Sequence, residues 1–116
     1  MTSSILSIDG NSLDPIDAAA GDRLQLLVFG ATWCGPCKAM APAIDDVADS
    51  YAGRVAVAKI DIEASSALAD SFGVRGVPTL VLRHGGQEVD RHVGMLTRTR
   101  LSLLLDDTLA RGQALA

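Results

Sequence analysis

Cys34 and Cys37 are the only cysteines in the chain, set two residues apart in the run Ala31-Thr32-Trp33-Cys34-Gly35-Pro36-Cys37-Lys38. They stand where an apolar, strand-like run, Leu24 to Phe29, gives way to a helix-like run. Two thiols so spaced at a helix start form a redox couple. The helix N-terminus carries partial positive charge and unpaired N–H groups, which stabilise a thiolate on the first cysteine. The second thiol lies one turn on, close enough to close a disulfide. Gly35 lets the backbone turn tightly. Pro36 suits the first helical turn, where its missing N–H is no loss.

Three other uses of the pair compete. A structural zinc site needs four ligands, and the only histidines, His84 and His92, lie far downstream without a finger spacing. A purely structural disulfide would close too short a loop to stabilise much. Inert buried thiols fit poorly with Trp33, Gly35 and Pro36, which are poor core-fillers. Metal is therefore not expected.

The rest of the composition narrows the classes. A length of 116 residues suits one domain, 1–116, with a real core, and 48% of the residues are hydrophobic. The net charge is −4, with no basic run and only four aromatics (one Trp, one Tyr, two Phe), which argues against nucleic-acid binding. No run approaches membrane-spanning length. Met1-Thr2-Ser3-Ser4-Ile5 lacks a basic, apolar leader pattern, so a cytoplasmic location is expected. One cysteine pair without a secretory signal suggests a reducing compartment and a working dithiol. Residues 1–3 and 112–116 read as loose ends.

Hydrophobic patterning supplies the elements that must hold the cysteines. Ser4 to Ile8 reads as a short strand, and Asp14-Pro15 opens a short helix through Ala20. Leu24 to Phe29 reads as a buried central strand. Gly35 to about Tyr51 carries Met40, Ile44, Val47 and Ala48 on one helical face, with Pro42 inside and Gly53 at its end. Val55 to Ile60 is a second apolar strand, whose separation from the first predicts a right-handed parallel crossover. Ser65 or Ser66 can cap a short helix that Gly73 stops. Pro78 to Arg83 and Glu88 to Val93 form a hairpin around His84-Gly85-Gly86-Gln87. Thr97 caps a last helix with a stripe of Leu101, Leu104, Leu105 and Leu109. Its Arg98 and Arg100 near the start and Asp106 and Asp107 near the end run against the macrodipole. The order βαβαβαββα predicts an α/β fold: a mixed five-stranded sheet with helices on both faces. The cysteine pair falls at a strand's carboxyl end, where open α/β sheets place their sites.

These residues resemble the thioredoxin family over nearly the whole chain. Trp33-Cys34-Gly35-Pro36-Cys37-Lys38 has the family's active-site sequence, and Arg75-Gly76-Val77-Pro78-Thr79 its second signature, in which the proline follows a cis peptide bond. Pro42, Lys59 and Gly94 also fall at family positions. The resemblance implies a protein disulfide reductase. Cys34 would be the exposed nucleophile and Cys37 the buried resolving thiol. Pro78 would face the sulfurs, and the backbone of Val77 would pair with an extended substrate segment. Trp33, Gly76, Gly94 and Met95 would line its groove. Disulfide-containing clients and a thioredoxin reductase would be the partners. No cofactor would be bound, NADPH acting only through that reductase, and the chain would work as a monomer.

Two positions depart from the family pattern. Where an aspartate is usual beneath the disulfide stands Val28, and where a tryptophan is usual stands Gly30. Lys59 then lacks its usual carboxylate partner and reads as a strand-end lysine with a solvated tip rather than as a catalytic group. His84 and His92 read as hairpin surface residues, and the pairs Asp45-Asp46 and Asp106-Asp107 as solvated helix faces. Val28 and Gly30 motivate a rival reading, a binding module that holds one dedicated partner with redox turnover secondary. A disulfide oxidant or isomerase ranks lower, because Gly35-Pro36 resembles the reducing members.

Overall fold

The computed structural model describes residues 5–115, with side chains through residue 112. Residues 1–3, read as a loose end, and Ser4, read as the start of the first strand, lie outside the described residues. The elements run β1 (Ile5–Ile8), α1 (Asp14–Ala20), β2 (Leu24–Gly30), α2 (Gly35–Ser50), β3 (Val55–Asp61), α3 (Ser66–Ser71), β4 (Thr79–His84), β5 (Gln87–Val93) and α4 (Arg98–Leu115). The strands form one sheet in the order β1-β3-β2-β4-β5. β3 runs parallel to both β1 and β2, while β4 is antiparallel to β2 and β5. Thus β2 sits in the centre, which is why its sequence is apolar at nearly every position rather than alternating.

Alternate residues of the central strands serve two cores. Leu24, Leu26, Val57, Leu80 and Leu82 pack with Met40, Ile44, Val47, Leu101 and Leu105, so α2 and α4 cover one face. Leu27, Phe29, Ala58, Ile60 and Val81 pack with Ile16, Ala20, Leu68 and Ala69, so α1 and α3 cover the other. Phe29 and Phe72 meet in that second layer with ring centroids 5.4 Å apart. At the β4–β5 turn Gly85 and Gly86 have φ of 60° and 83°. Two successive left-handed residues match the twist of a hairpin, and glycine takes that conformation without a Cβ clash.

Three details differ from the sequence expectation. Ser65 stands at the N-cap of α3, but its hydroxyl donates to the Ile8 carbonyl instead of capping the helix. The side-chain oxygen of Asn11, in the β1–α1 loop, accepts from Leu68 N–H at 3.1 Å, a cap supplied from 57 residues away. α4 extends to Leu115, so helix covers most of the tail read as loose, and Asp106 and Asp107 lie mid-helix rather than near its end. Its charges also find partners: Arg98 pairs with Asp46 of α2, and Arg111 with Asp107 and Asp90. Exposed pairs of this kind contribute about 0–1 kcal/mol each, so the buried leucines still dominate.

Candidate active site

β2 delivers the chain to the redox pair. It ends at Gly30, and α2 begins at Gly35 with Cys34 as its N-cap and Pro36 in the first turn. Cys34 and Cys37 are joined as a disulfide with Cα atoms 5.3 Å apart. Cys34 Sγ accepts a hydrogen bond from Cys37 N–H at 3.1 Å. That N–H is one of the donors a helix start leaves without an intrahelical partner. The sulfur of Cys34 is therefore placed where a negative charge is favoured, at the head of a 16-residue helix.

The exposure of the two cysteines reverses the expectation. Cys34 is only 4% exposed, whereas Cys37 is half-buried. Cys34 Sγ is turned onto its own helix start, and the neighbouring Trp33 projects instead, at 64% exposure. The strand residue beside Cys37 has no side chain. A Cβ at Gly30 would stand 3.3 Å from Cys37 Sγ.

The second signature reaches the same end of the sheet. The Val77–Pro78 bond is cis. Thr79 pairs with Phe29 across the antiparallel β2–β4 ladder, which puts Pro78 level with Gly30. Thr79 Oγ1 donates to the Gly76 carbonyl, and Gly94 N–H donates to the Pro78 carbonyl at 2.8 Å. Gly94 has a φ of 104°, which disfavours any side chain there. Gly76 and Gly94 are thus parts of one braced loop pair. Around it Trp33, Met95 and Val93 are exposed, the last two at 52% and 61%. A Cβ on Gly76 would lie 3.8 Å from Val93 Cγ1, so Val93 belongs to this surface. Sequence reading missed it, although an apolar residue immediately before the glycine that leaves β5 was a usable signal.

Val28 lies two residues before Gly30 on the strand face toward α2. It is half-buried and packs against that core, between Lys59 of β3 and Leu80 of β4. Lys59 is half-buried, and no carboxylate pairs with it among the described residues. His84 is exposed and contacts the Asp22 carbonyl, while His92 is half-buried on β5. Among the described residues no group of three His, Cys, Asp or Glu could hold a metal ion, and no helix is long and apolar enough to cross a membrane. A cavity of about 840 Å³ opens at the other end of β2, where Arg23, Leu24, Arg54 and Leu109 line it. It contains neither cysteine.

The resolved arrangement is a dithiol–disulfide couple at a helix start, framed by a braced proline loop and exposed apolar side chains. The chain is similar to known proteins in sequence and fold. Residues 16–107 match the thioredoxin family profile. The chain is 36% identical over 109 residues to thioredoxin of Acidithiobacillus ferridurans, covering 94% of this chain and 100% of that one. It is 40% identical over 84 residues to thioredoxin 1 of Nostoc sp., covering 72% and 78%. Among solved structures, a point mutant of Halobacterium salinarum thioredoxin superposes with a TM-score of 0.80 at 35% identity, covering 92% of this chain and 93% of that one. The germline-specific thioredoxin Deadhead of Drosophila gives 0.78 at 28% identity, covering 86% and 97%. The chain belongs to the thioredoxin family and is a protein disulfide oxidoreductase with Cys34 and Cys37 as its redox couple.

Proposed function

We propose that Cys34 attacks the disulfide of a client protein and that Cys37 resolves the mixed disulfide. One observation carries the assignment: Cys34 Sγ accepts the Cys37 N–H at the head of α2. The attacking species in thiol–disulfide exchange is a thiolate, and the helix start favours that charge on Cys34. In the dithiol state the Cys34 thiolate attacks one client sulfur and expels the other as a thiolate. The Cys37 thiolate then attacks Cys34 Sγ, releases the reduced client and closes the Cys34–Cys37 disulfide. The client segment lies along Trp33, Gly76, Val77, Gly94 and Met95, with Val93 beside them. Three exposed apolar side chains there favour an extended segment of mixed polarity over a charged one. A thioredoxin reductase supplied by NADPH restores the dithiol, and the chain itself binds no cofactor. The setting is the cytoplasm, where a reducing thiol pool suits such a carrier.

Turnover of a disulfide protein with NADPH and a thioredoxin reductase tests this reading. Cys34→Ser should abolish turnover, and Cys37→Ser should accumulate client mixed disulfides on Cys34. Trapping through Cys37 instead would reverse the roles. No turnover, with one protein recovered tightly from extract, would favour the dedicated-partner reading.

A further inference from the structure

The cavity of about 840 Å³ lies at the start of β2, at the end of that strand away from Gly30 and the cysteines. Its volume falls within the range of small-molecule sites, about 300–1,000 Å³. Apolar side chains from sheet and helix both line it. Leu24 opens β2 and is buried, Val89 of β5 is exposed, and Leu109 of α4 is half-buried. An apolar body placed between them would leave water on both sides.

Two guanidinium groups line the same cavity, and no carboxylate pairs with either among the described residues. The Arg54 guanidinium carbon lies 4.8 Å from the centroid of the Tyr51 ring. Tyr51 is itself fixed, since its hydroxyl donates to Asp106 at 2.7 Å. Among the described residues the Arg54 guanidinium has this ring contact and no hydrogen-bond acceptor. Arg23 is held differently. Its Nε donates to the Ala20 carbonyl at 3.1 Å, its Nη2 to Ala19 at 2.6 Å, and its Nη1 to Ala52. Those carbonyls carry only partial charge and take three of the five N–H groups that a guanidinium offers. Arg111 lines the cavity too, but it is paired with Asp90 and Asp107. Asp22 is the one acidic residue of the lining, so Arg23 and Arg54 exceed it by one charge. His84 contributes its Nε2 to the Asp22 carbonyl at 3.2 Å. The whole chain carries −4, so this local positive excess is not the by-product of a basic protein.

We propose that this cavity binds a small amphipathic carboxylate, a medium-length alkyl chain or an aromatic ring bearing one acid group. The apolar body lies along Leu24, Val89 and Leu109. The carboxylate sits on Arg54 and on the N–H groups of Arg23 that the carbonyls leave over. The planar fork of an arginine matches both oxygens of a carboxylate. One arginine is already stacked on a ring and the other already tied to three carbonyls, so little side-chain freedom is lost when the ligand arrives. A neutral apolar molecule would leave those donors unmatched, and an anion without an apolar body would gain nothing from the walls. A dianion would meet Asp22 with its second charge. The site is separate from the redox couple, and disulfide exchange makes no use of it.

The test is a titration of the full-length oxidised chain with octanoate, 1-octanol and acetate, followed through backbone-amide NMR shifts. Octanoate should shift Arg23, Arg54, Thr108 and Leu109 saturably and leave Trp33 and Gly94 in place. 1-Octanol should bind there about tenfold more weakly, because it lacks the charge-assisted hydrogen bonds. Acetate should not saturate over the octanoate range. These three ligands are compared on wild type, so the result needs no variant to fold. Arg54→Gln should weaken octanoate by about tenfold and leave 1-octanol unchanged, whereas Arg54→Lys, which keeps the charge, should lose less. Four results would each overturn the proposal: no saturable shift with octanoate, equal affinity for octanoate and 1-octanol, unchanged octanoate affinity in a folded Arg54→Gln, or shifts confined to Trp33, Val93 and Met95.

Discussion

Replacing Val28 with aspartate introduces the carboxylate that the family resemblance implies beneath the disulfide, and here the surroundings do not favour it. Val28 is half-buried between Lys59 and Leu80, and Leu80 is fully buried. Full burial of a valine-sized side chain is worth about 1.5–3 kcal/mol, so half of it loses about 1 kcal/mol. Placing a polar group in a partly apolar site costs about 1–3 kcal/mol. The neighbouring Lys59 offsets about 0–1 kcal/mol of that, the usual range for a partly exposed ion pair. The net loss is about 1–4 kcal/mol. With a urea slope of about 1.5 kcal/mol/M, the unfolding midpoint falls by about 0.7–2.7 M. Adding Lys59→Met should lower it further, because the new carboxylate loses its counter-charge. The same variant should speed the Cys37-dependent step, since a nearby carboxylate can accept its proton. Wild-type turnover should therefore rise more steeply with pH than that of Val28→Asp. Urea midpoints and reduction rates across neutral pH decide the matter. A variant as stable as wild type and no faster would refute the placement of Val28 near the sulfurs' proton path.

Leu105→Ala should cost about 2–5 kcal/mol in denaturant unfolding, because Leu105 is fully buried where α4 meets the α2-facing core and the α4 charges are exposed pairs that cannot compensate. Asp17 on α1 accepts hydrogen bonds from Gln25 of β2 and Arg83 of β4, which hold its carboxyl below the ordinary carboxylate range. Its folded pKa is depressed, so the stability it contributes is present at neutral pH and disappears as pH falls from the ordinary aspartate range through the folded value. The stability gap between wild type and Asp17→Asn, read from urea midpoints, should therefore be constant above about pH 5 and close below about pH 4. A gap that is unchanged down to pH 2 would refute the ionic role.

Most of the fold was legible because its signals are local. The continuous apolar runs of β2 and β3, the Gly85-Gly86 turn and the leucine stripe of α4 each state their element within a few residues. The redox pair was legible for the same reason, since both cysteines and the glycine and proline between them share one turn. What was not legible depends on contacts distant in sequence. The cap on α3 comes from Asn11, and the Gln25–Asp17–Arg83 network joins three separate elements. Gly30 lies against Cys37, a contact between a strand end and a helix that spacing alone does not reveal. Val93 escaped notice because its place in the strand pattern does not show that its side chain is exposed beside Gly76.

Both open edges of the sheet are poor templates. β1 spans four of the described residues, Ile5–Ile8, and β5 carries charged and polar side chains through Glu88, Asp90, Arg91 and His92. Arg91 is clamped by Glu88 and reaches the Phe72 carbonyl, and Asp90 is held by Arg111. A second chain adding along β5 would have to strip water from these charges before gaining any backbone bond. The long apolar strands β2, β3 and β4 are all interior. For a protein disulfide oxidoreductase, edges of this kind disfavour strand-to-strand association while Trp33, Met95 and Val93 stay exposed.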